Sequence, residues 1–507
     1  MKNNIYEHQN DAAIILNKLK NGTDIRGIAI DTEEDDKILT PGIVSLIGYG
    51  FSKWLKERKN GREDLKVAVG VDSRLSGPEL KEALKEALIC SGINVYDCGM
   101  STTPAMFMAT VLDSYKCDGA VMITASHLPY YYNGLKFFTE EGGCEKADID
   151  RIVEMASCTP AGCGILRSKP GTIKEASLID DYSKMLVDKV RKAVNEQTPL
   201  KGSRIIVDAG NGSGGFFATK VLQELGAEIQ GSQFLNPDGN FPNHIPNPEN
   251  KEAMESIKNA VLNSKADLGI IFDTDVDRAA IVSKSGEEIN KNALIALISS
   301  IVIKTNEGAT VVTDSVTSTG LAEFIAGLNG VHHRFKRGYK NVINEAIRLN
   351  EEGVNCPLAI ETSGHAALRE NYFLDDGAYL VIKILIEMSM LKKDGKDISE
   401  LIKDLKHPLE EKEIRKKIKC EDFRPYGQTI IENLKEYAGG IEGWEIESRN
   451  YEGVKINCSS ESGWFLIRMS LHEPIIAINI ESDIEGGTES IFSKIKAFLV
   501  DYDILGD

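Results

Sequence analysis

One pattern occurs three times in this chain and limits its fold more than any other feature. An apolar, β-branched run ends in Asp, and a Ser/Thr/Gly turn then leads into a helical pattern. The copies are KVAVGVDSRLSG around Asp72, RIIVDAGNGSGG around Asp208 and ATVVTDSVTSTG around Asp314. Each is followed, about 45 to 65 residues later, by a second apolar strand that ends in a polar loop. Those loops are VMITASH at Ser126, IIFDTDVDR at Asp273 and LAIETSGH at Glu361. Strand, helix and strand repeated in this way predict three similar α/β units. PELKEALKEALICSG, residues 78–92, reads as one of the helices, with Pro early and Gly near the end.

The chain from about Leu409 falls outside the repeat. It reads as charged and helical, then as GWFLIRMS, a loop, IIAINIES and a closing helix ESIFSKIKAFL. That is a separate α+β unit. The expected fold class is therefore α/β, with three similar α/β mixed-sheet domains plus a C-terminal α+β domain around a central cleft. The expected domains are 1–178, 179–288, 289–408 and 409–507, and chemistry is expected where strands end at their carboxyl side.

Charge and cysteine usage narrow the function classes. With 59 Lys and Arg against 77 Asp and Glu, the chain carries a net −18. That balance argues against wholesale binding to nucleic acid or an anionic membrane, both of which need positive surface. A small phosphate pocket needs only a few local cations and stays open. Nine cysteines, an odd number with no CxxC pair, read as reduced thiols. The longest mostly apolar run, residues 293–303, is too short to span a bilayer, and the N-terminus lacks the build of a signal peptide. A soluble cytoplasmic protein is expected.

Four loops can carry chemistry. In TASHLPYYYNGLKFF, Ser126 follows an apolar strand, beside His127 and upstream of Lys136. A serine held there can act as a nucleophile or carry a phosphate; alone, such a turn is as well explained by capping, but YNGLK adds a turn and a cation. In the second loop, alternation along an extended segment puts Asp273, Asp275 and Asp277 on one side. Three such carboxylates repel unless a cation neutralises them, and hard oxygen ligands favour Mg²⁺ or Ca²⁺. In the third, Glu361, Ser363 and His365 around a glycine can hydrogen-bond sugar hydroxyls, and Gly338, Tyr339 and Lys340 form a second polar turn in the same unit. Each is weak alone. In the fourth, Arg468 offers a fork for phosphate and Ser470 and His472 add donors, a hairpin with a salt-bridged Arg fitting the spacing equally well. The Gly-rich DAGNGSGG lacks the Gly-Lys-Ser/Thr ending of a P-loop and reads as a structural turn, and His244 in PDGNFPNHIPNPE reads as a turn-fixing hydrogen bonder.

Taken in order, TASH with YNGLK, DTDVDR, ETSGH and RMSLHEP resemble the four active-site loops of the α-D-phosphohexomutases, the phosphoglucomutase/phosphomannomutase family. The resemblance extends to GTDIRG, VGVDSRLSG, Thr103-Pro104, VDAGNGSG, PDGNFPNHIPNPE and DDGA at 375–378. It implies that Ser126 holds the transferable phosphoryl group, and that Asp273, Asp275, Asp277 and the Ser126 phosphate bind one Mg²⁺. Arg278 would lie near that phosphoserine, and both Arg278 and His127 would bind substrate. Arg26, Lys136 and His365 would serve proton transfer and sugar contact, as would Glu361 and Ser363 for the hydroxyls, with Gly338 and Tyr339 lining the substrate. Arg468, Ser470 and His472 would grip the phosphate not being transferred.

The implied reaction is reversible phosphoryl transfer between the 1- and 6-positions of a hexose phosphate, glucose or mannose, through a hexose 1,6-bisphosphate. The expected partner is that substrate alone, the chain being a monomer or homodimer. Three departures stand out: Leu128 where the family has Asn, Thr274 and Val276 where it has glycines, and Leu471-His472 in the phosphate loop. Phosphoglucosamine mutase remains open as an alternative. From other classes, so do a haloacid-dehalogenase-like phosphatase, using Asp273 as nucleophile and Asp375-Asp376 as later metal pair, and a non-catalytic sugar-phosphate sensor.

Overall fold

A computed structural model describes residues 12–159, 169–420, 422–470, 473–502 and 505–506. The chain divides into two compact units. The first holds Met1–Asn290, Ser363–Ala366 and Leu374–Ile398; the second holds Lys291–Thr362, Ala367–Phe373 and Ser399–Asp507.

In the first unit, the opening module is a mixed sheet. Strand Lys66–Val71 lies parallel to Asn94–Met100 on one side and to Gly119–Ile123 on the other. Gly119–Ile123 then runs antiparallel to Tyr132–Thr139, which pairs with Asp24–Ile28. Lys66–Val71 and Gly119–Ile123 are buried almost throughout, as strands covered on both faces must be, hence their unbroken apolar runs. The helix over Gly77–Cys90 forms where the sequence places it, and Gly92, at φ +79°, turns the chain out of it. Thr40 and Thr102 cap the helices Pro41–Arg58 and Thr103–Val111 by accepting from the amides of Ile43 and Ala105.

The second module pairs Ile205–Asp208 in parallel with Leu268–Phe272, which runs antiparallel to Ala279–Ser283. The segment after Asp208 is not one α-helix. It holds a 3₁₀ turn, Ser213–Gly215, and a π-helical stretch, Phe217–Leu222, and the α-helix Lys251–Ser264 comes later. The unit closes with helix Gly377–Lys393, which packs on Leu178–Val194 and is capped by Asp376 accepting from the Tyr379 amide at 2.8 Å.

In the second unit, Thr310–Thr313 lies parallel to both Val331–Arg334 and Leu358–Ile360. The apolar run over residues 293–303 is the body of the buried helix Lys291–Ile303. No helix among the described residues is long and apolar enough to cross a membrane. The last module is an antiparallel sheet ordered Trp444–Ile446, Val454–Cys458, Gly463–Met469, Ile475–Ser482, Glu410–Ile418, Leu505–Gly506, with helices Phe423–Ala438 and Gly487–Leu499.

One expectation fails here. The charged stretch EEKEIRKKI, expected as helix, is the strand Glu410–Ile418, paired with Ile475–Ser482 along nearly its whole length. Its burial alternates, so the period is two, and the ladder outweighs the helix preference of Glu and Lys.

Candidate active site

Ser126 stands just past the end of Gly119–Ile123, in the left-handed region at φ +51°. For a non-glycine residue that conformation is strained, so the surroundings must hold it. Two devices do so. The Ser126 amide donates to Thr124 Oγ1 at 2.9 Å. The guanidinium of Arg74, 1% exposed, donates to four carbonyl oxygens of the loop: Ser126 and Leu128 at 2.5 Å, Pro129 at 2.7 Å and Tyr132 at 2.9 Å. Its Nε lies 3.3 Å from Asp72 Oδ2. Where Leu128 offers no side-chain amide to brace this loop, Arg74 braces its backbone. Nothing within VGVDSRLSG itself assigns Arg74 this role.

The acidic loop follows Leu268–Phe272. It is a tight turn rather than the extended segment expected, and Val276 sits in it at φ +66°. The turn, not strand alternation, brings the carboxylates together: Asp273, Asp275 and Asp277 each offer one oxygen within 4.8 Å of the others. All three are buried. The Val276 conformation gives a backbone reason for glycine at that position, so its replacement is not free.

Neighbours from the first module pin this loop. Thr103 donates its amide to the Asp275 carbonyl at 2.9 Å and its hydroxyl to Asp275 Oδ2 at 2.5 Å, a role the Thr-Pro motif left unread. Behind the loop, Ser213 donates its amide to the Thr274 carbonyl at 2.8 Å, and a Cβ on Gly212 would stand 2.7 Å from that same oxygen. DAGNGSGG is thus a structural support. His244 likewise fixes its turn, with Nε2 3.0 Å from Asp208 Oδ2 and Nδ1 3.0 Å from the Ile245 carbonyl.

Serine and carboxylates meet. Ser126 Oγ donates to Asp273 Oδ2 at 2.9 Å. Arg278 Nη2 lies 3.1 Å from Asp273 Oδ2 and 3.4 Å from Ser126 Oγ, and His127 Nδ1 lies 3.4 Å from that oxygen. Lys136 Nζ reaches Asp275 Oδ2 at 3.0 Å and Asp277 Oδ2 at 2.5 Å. Arg26, one strand over, pairs with Asp24 at 2.7 Å. His365 is hydrogen-bonded to Asp375, and its backbone bridges to Arg278. Ser363, buried, lies in the same short segment.

The electrostatics follow from burial and crowding. Burial first, then Asp277 and Asp275, pushes Asp273 well above the carboxylate range. Burial would raise Asp277 too, but Lys136, His365 and Arg278 together hold it below. Burial would lower Lys136, yet Asp275 and Asp277 raise it well above its ordinary value. Burial would also lower His365, and Asp375 with Asp277 raises it to about 9. Burial, then Arg278 and Arg26, keeps His127 a neutral imidazole.

The residues fit a divalent cation. Three hard carboxylates converge, and Oδ1 of both Asp275 and Asp277 is buried with no hydrogen-bond partner among the described residues. Asp376, by contrast, caps a helix and accepts from Tyr182 Oη at 2.6 Å. One member of the metal pair that a phosphatase reading needs at Asp375-Asp376 is therefore committed to a helix cap.

The second unit carries the other half of the candidate residues. Glu361 accepts from the Gly338 amide at 2.6 Å, and Gly338, at φ +112°, heads the helix Tyr339–Glu351. Thr362 donates to Asp314 Oδ2 at 2.6 Å, which ties ETSGH to the end of Thr310–Thr313. Arg468, at the end of Gly463–Met469, is buried 3.9 Å from Glu452. Glu452 also accepts from the Arg337 amide at 3.1 Å. Burial first, and then Arg337 beside it, lowers Arg468, while Glu452 pulls the other way. Arg337, adjacent to the Gly338-Tyr339-Lys340 turn, is thus a second cation beside Arg468. Ser470 Oγ accepts from the Glu473 amide at 3.3 Å; Leu471 and His472 lie outside the described residues.

Comparison with known proteins is consistent along the chain. Family models match in order: phosphoglucomutase/phosphomannomutase α/β/α domain I over 17–157, domain II over 180–286 and domain III over 290–408. The chain is similar to a phosphoglucomutase of Neisseria gonorrhoeae, 31% identical over 94% of this chain and 95% of that one. A phosphoglucomutase/phosphomannomutase of Thermococcus kodakarensis is 31% identical over 93% and 96%. Among solved structures, a phosphoglucomutase/phosphomannomutase family protein of Burkholderia thailandensis superposes with TM-score 0.77 at 26% identity, covering 97% of each chain.

Proposed function

Because the chain belongs to the phosphoglucomutase/phosphomannomutase family, we propose that it is a mutase moving a phosphoryl group between the 1- and 6-positions of glucose or mannose phosphate. The observation that carries this reading is Ser126 Oγ held 2.9 Å from one of three converging carboxylates, with Arg278 alongside.

In this reading Ser126, once phosphorylated, gives its phosphoryl group to one end of the sugar phosphate. The resulting hexose 1,6-bisphosphate reorients and returns its other phosphate to Ser126. Asp273, Asp275 and Asp277 would hold Mg²⁺, which when bound offsets charge developing on the transferring group. Arg278 supports the phosphoserine from its own side, and Arg74 fixes the loop geometry so that Oγ needs no reorganisation. Lys136 and His365, the latter oriented by Asp375, are the proton-transfer groups, with Arg26 and His127 beside them. Glu361 and Ser363 would contact hydroxyls near Gly338 and Tyr339. Arg468 and Ser470, with His472, would grip the other phosphate.

The proposed module boundaries are 1–178, 179–288, 289–408 and 409–507, and each of the first three encloses one family-model span, 17–157, 180–286 and 290–408. The described cysteines are all free thiols, which supports a cytoplasmic setting. Mass spectrometry of the purified protein tests the reading: phosphate on Ser126 is expected, and Ser126→Ala is expected to lose most mutase turnover while keeping its fold. An aspartyl phosphate on Asp273, or near wild-type turnover in the variant, would overturn it.

A further inference from the structure

The second unit contains a cavity of about 380 Å³ that none of the four loops lines. It runs along Val331–Arg334, the outer strand of its parallel trio, and is closed by the segment from Glu447 to Lys455. That volume is in the range of small-ligand sites.

Its wall is cationic in a chain whose net charge is −18. Arg334, Arg449 and Lys455 line it against a single carboxylate, Glu447. Lys455 is the telling residue. It is 4% exposed, yet its ammonium has no hydrogen-bond acceptor among the described residues. Its neighbours are Glu447 Oε2 at 3.8 Å and the ring face of Trp464 at 4.2 Å. An ammonium that opens on a cavity with no protein acceptor in hydrogen-bond range leaves its donors for an anion there. Burial first, then the adjoining Arg334, lowers Lys455 to about 7, although Glu447 and Glu481 pull the other way. Arg334 is anchored for the task, donating to the Ser318 carbonyl at 2.8 Å and Thr317 Oγ1 at 3.2 Å.

The lining also includes an aromatic cluster. Phe335, Tyr451 and His333 cluster there, with ring centres 5.0 Å apart for Phe335 and Tyr451 and 5.3 Å for His333 and Tyr451. Cations and flat rings lining one cavity suit a ligand with both an anionic tail and a planar group. We propose that this cavity is a non-catalytic binding site for a nucleoside phosphate, with phosphate on Lys455, Arg334 and Arg449 and the base against Tyr451 and Phe335.

Calorimetric titration of the full-length protein with ADP tests this. Wild type is expected to bind, and Lys455→Met, which keeps side-chain bulk, and Arg449→Glu, an exposed position whose change spares the fold, should each weaken binding about tenfold or more. Arg468→Lys should leave ADP affinity unchanged. Adenosine and pyrophosphate should each bind more weakly than ADP. No binding by wild type, equal binding by both cavity variants, or loss of binding only in Arg468→Lys would overturn the proposal. Pyrophosphate binding as tightly as ADP would overturn the nucleoside assignment.

Discussion

Arg74→Lys keeps a cation beside Asp72 but removes the planar fork that holds the Ser126 loop. In the wild type the guanidinium serves four carbonyls and Asp72. An ammonium has three donors. If one stays with Asp72, at most two carbonyls keep a partner and two lose theirs. Each charge-assisted bond lost at a buried site costs about 1.5–3 kcal/mol, so the local penalty is about 3–6 kcal/mol. Ser126 adds strain of about 1–3 kcal/mol that the clamp now offsets. The loop should relax and carry Oγ away from Asp273. Part of that penalty will appear as displaced population, giving a kcat about 10–100-fold lower with KM changed less than about threefold. A chain of several modules does not unfold in two states, so hydrogen exchange read peptide by peptide is the suitable stability assay. Peptides spanning residues 124–132 should exchange faster while the second unit is unaffected. A kcat within about twofold of wild type, together with unchanged exchange there, would refute the bracing argument.

Three other perturbations follow from the same geometry. Lys136→Met leaves Asp275 and Asp277 without their ammonium, a loss of about 3–5 kcal/mol for a broken buried pair, so added Mg²⁺ should raise its Tm more than that of wild type; equal shifts would contradict the metal site. Val276→Gly relieves about 1–3 kcal/mol of left-handed strain while forfeiting about 1.5–3 kcal/mol of burial, so it should lower Tm far less than Val282→Gly, which sits buried in regular strand. His244 is raised above its ordinary 6.5, since Asp208 outweighs the opposing effect of burial. Its contribution to stability should therefore be complete below about pH 6.5 and fade as pH climbs through the folded-state value. Melting curves of wild type and His244→Gln against pH should converge at high pH, and parallel curves would exclude the pairing.

What the sequence could show depended on whether the determining contact was local. Unbroken apolar runs at Lys66–Val71 and Gly119–Ile123 announce doubly covered strands, and three aspartates within five residues announce a charge problem needing a cation. EEKEIRKKI misled because its residues favour helix locally, while its partner Ile475–Ser482 lies some 60 residues away. Arg74 and Thr103 stayed unread for the same reason: the groups they serve are 52 and 172 residues distant. Arg337 was hidden by ordinary context, since a basic residue before a glycine turn is usually solvated. Nothing in DTDVDR itself signals that Val276 must be left-handed; only the backbone shows that.

The discontinuity of the first unit has a cost during synthesis. His365, Asp375 and the helix Gly377–Lys393 belong to it, yet the chain must run from Asn290 through the third module to reach them. At about 5–20 residues per second, the ribosome needs about 5–20 s for that stretch. Until then Leu178–Val194 lacks the helix that covers it, and Tyr182 lacks Asp376. A nascent chain stalled in this interval presents apolar surface that its own later segments are meant to hide, which makes it a natural client for holding chaperones and exposes it to proteases. A pause anywhere between residues 194 and 398 would prolong this vulnerable state, because Leu178–Val194 is already made and its cover is not.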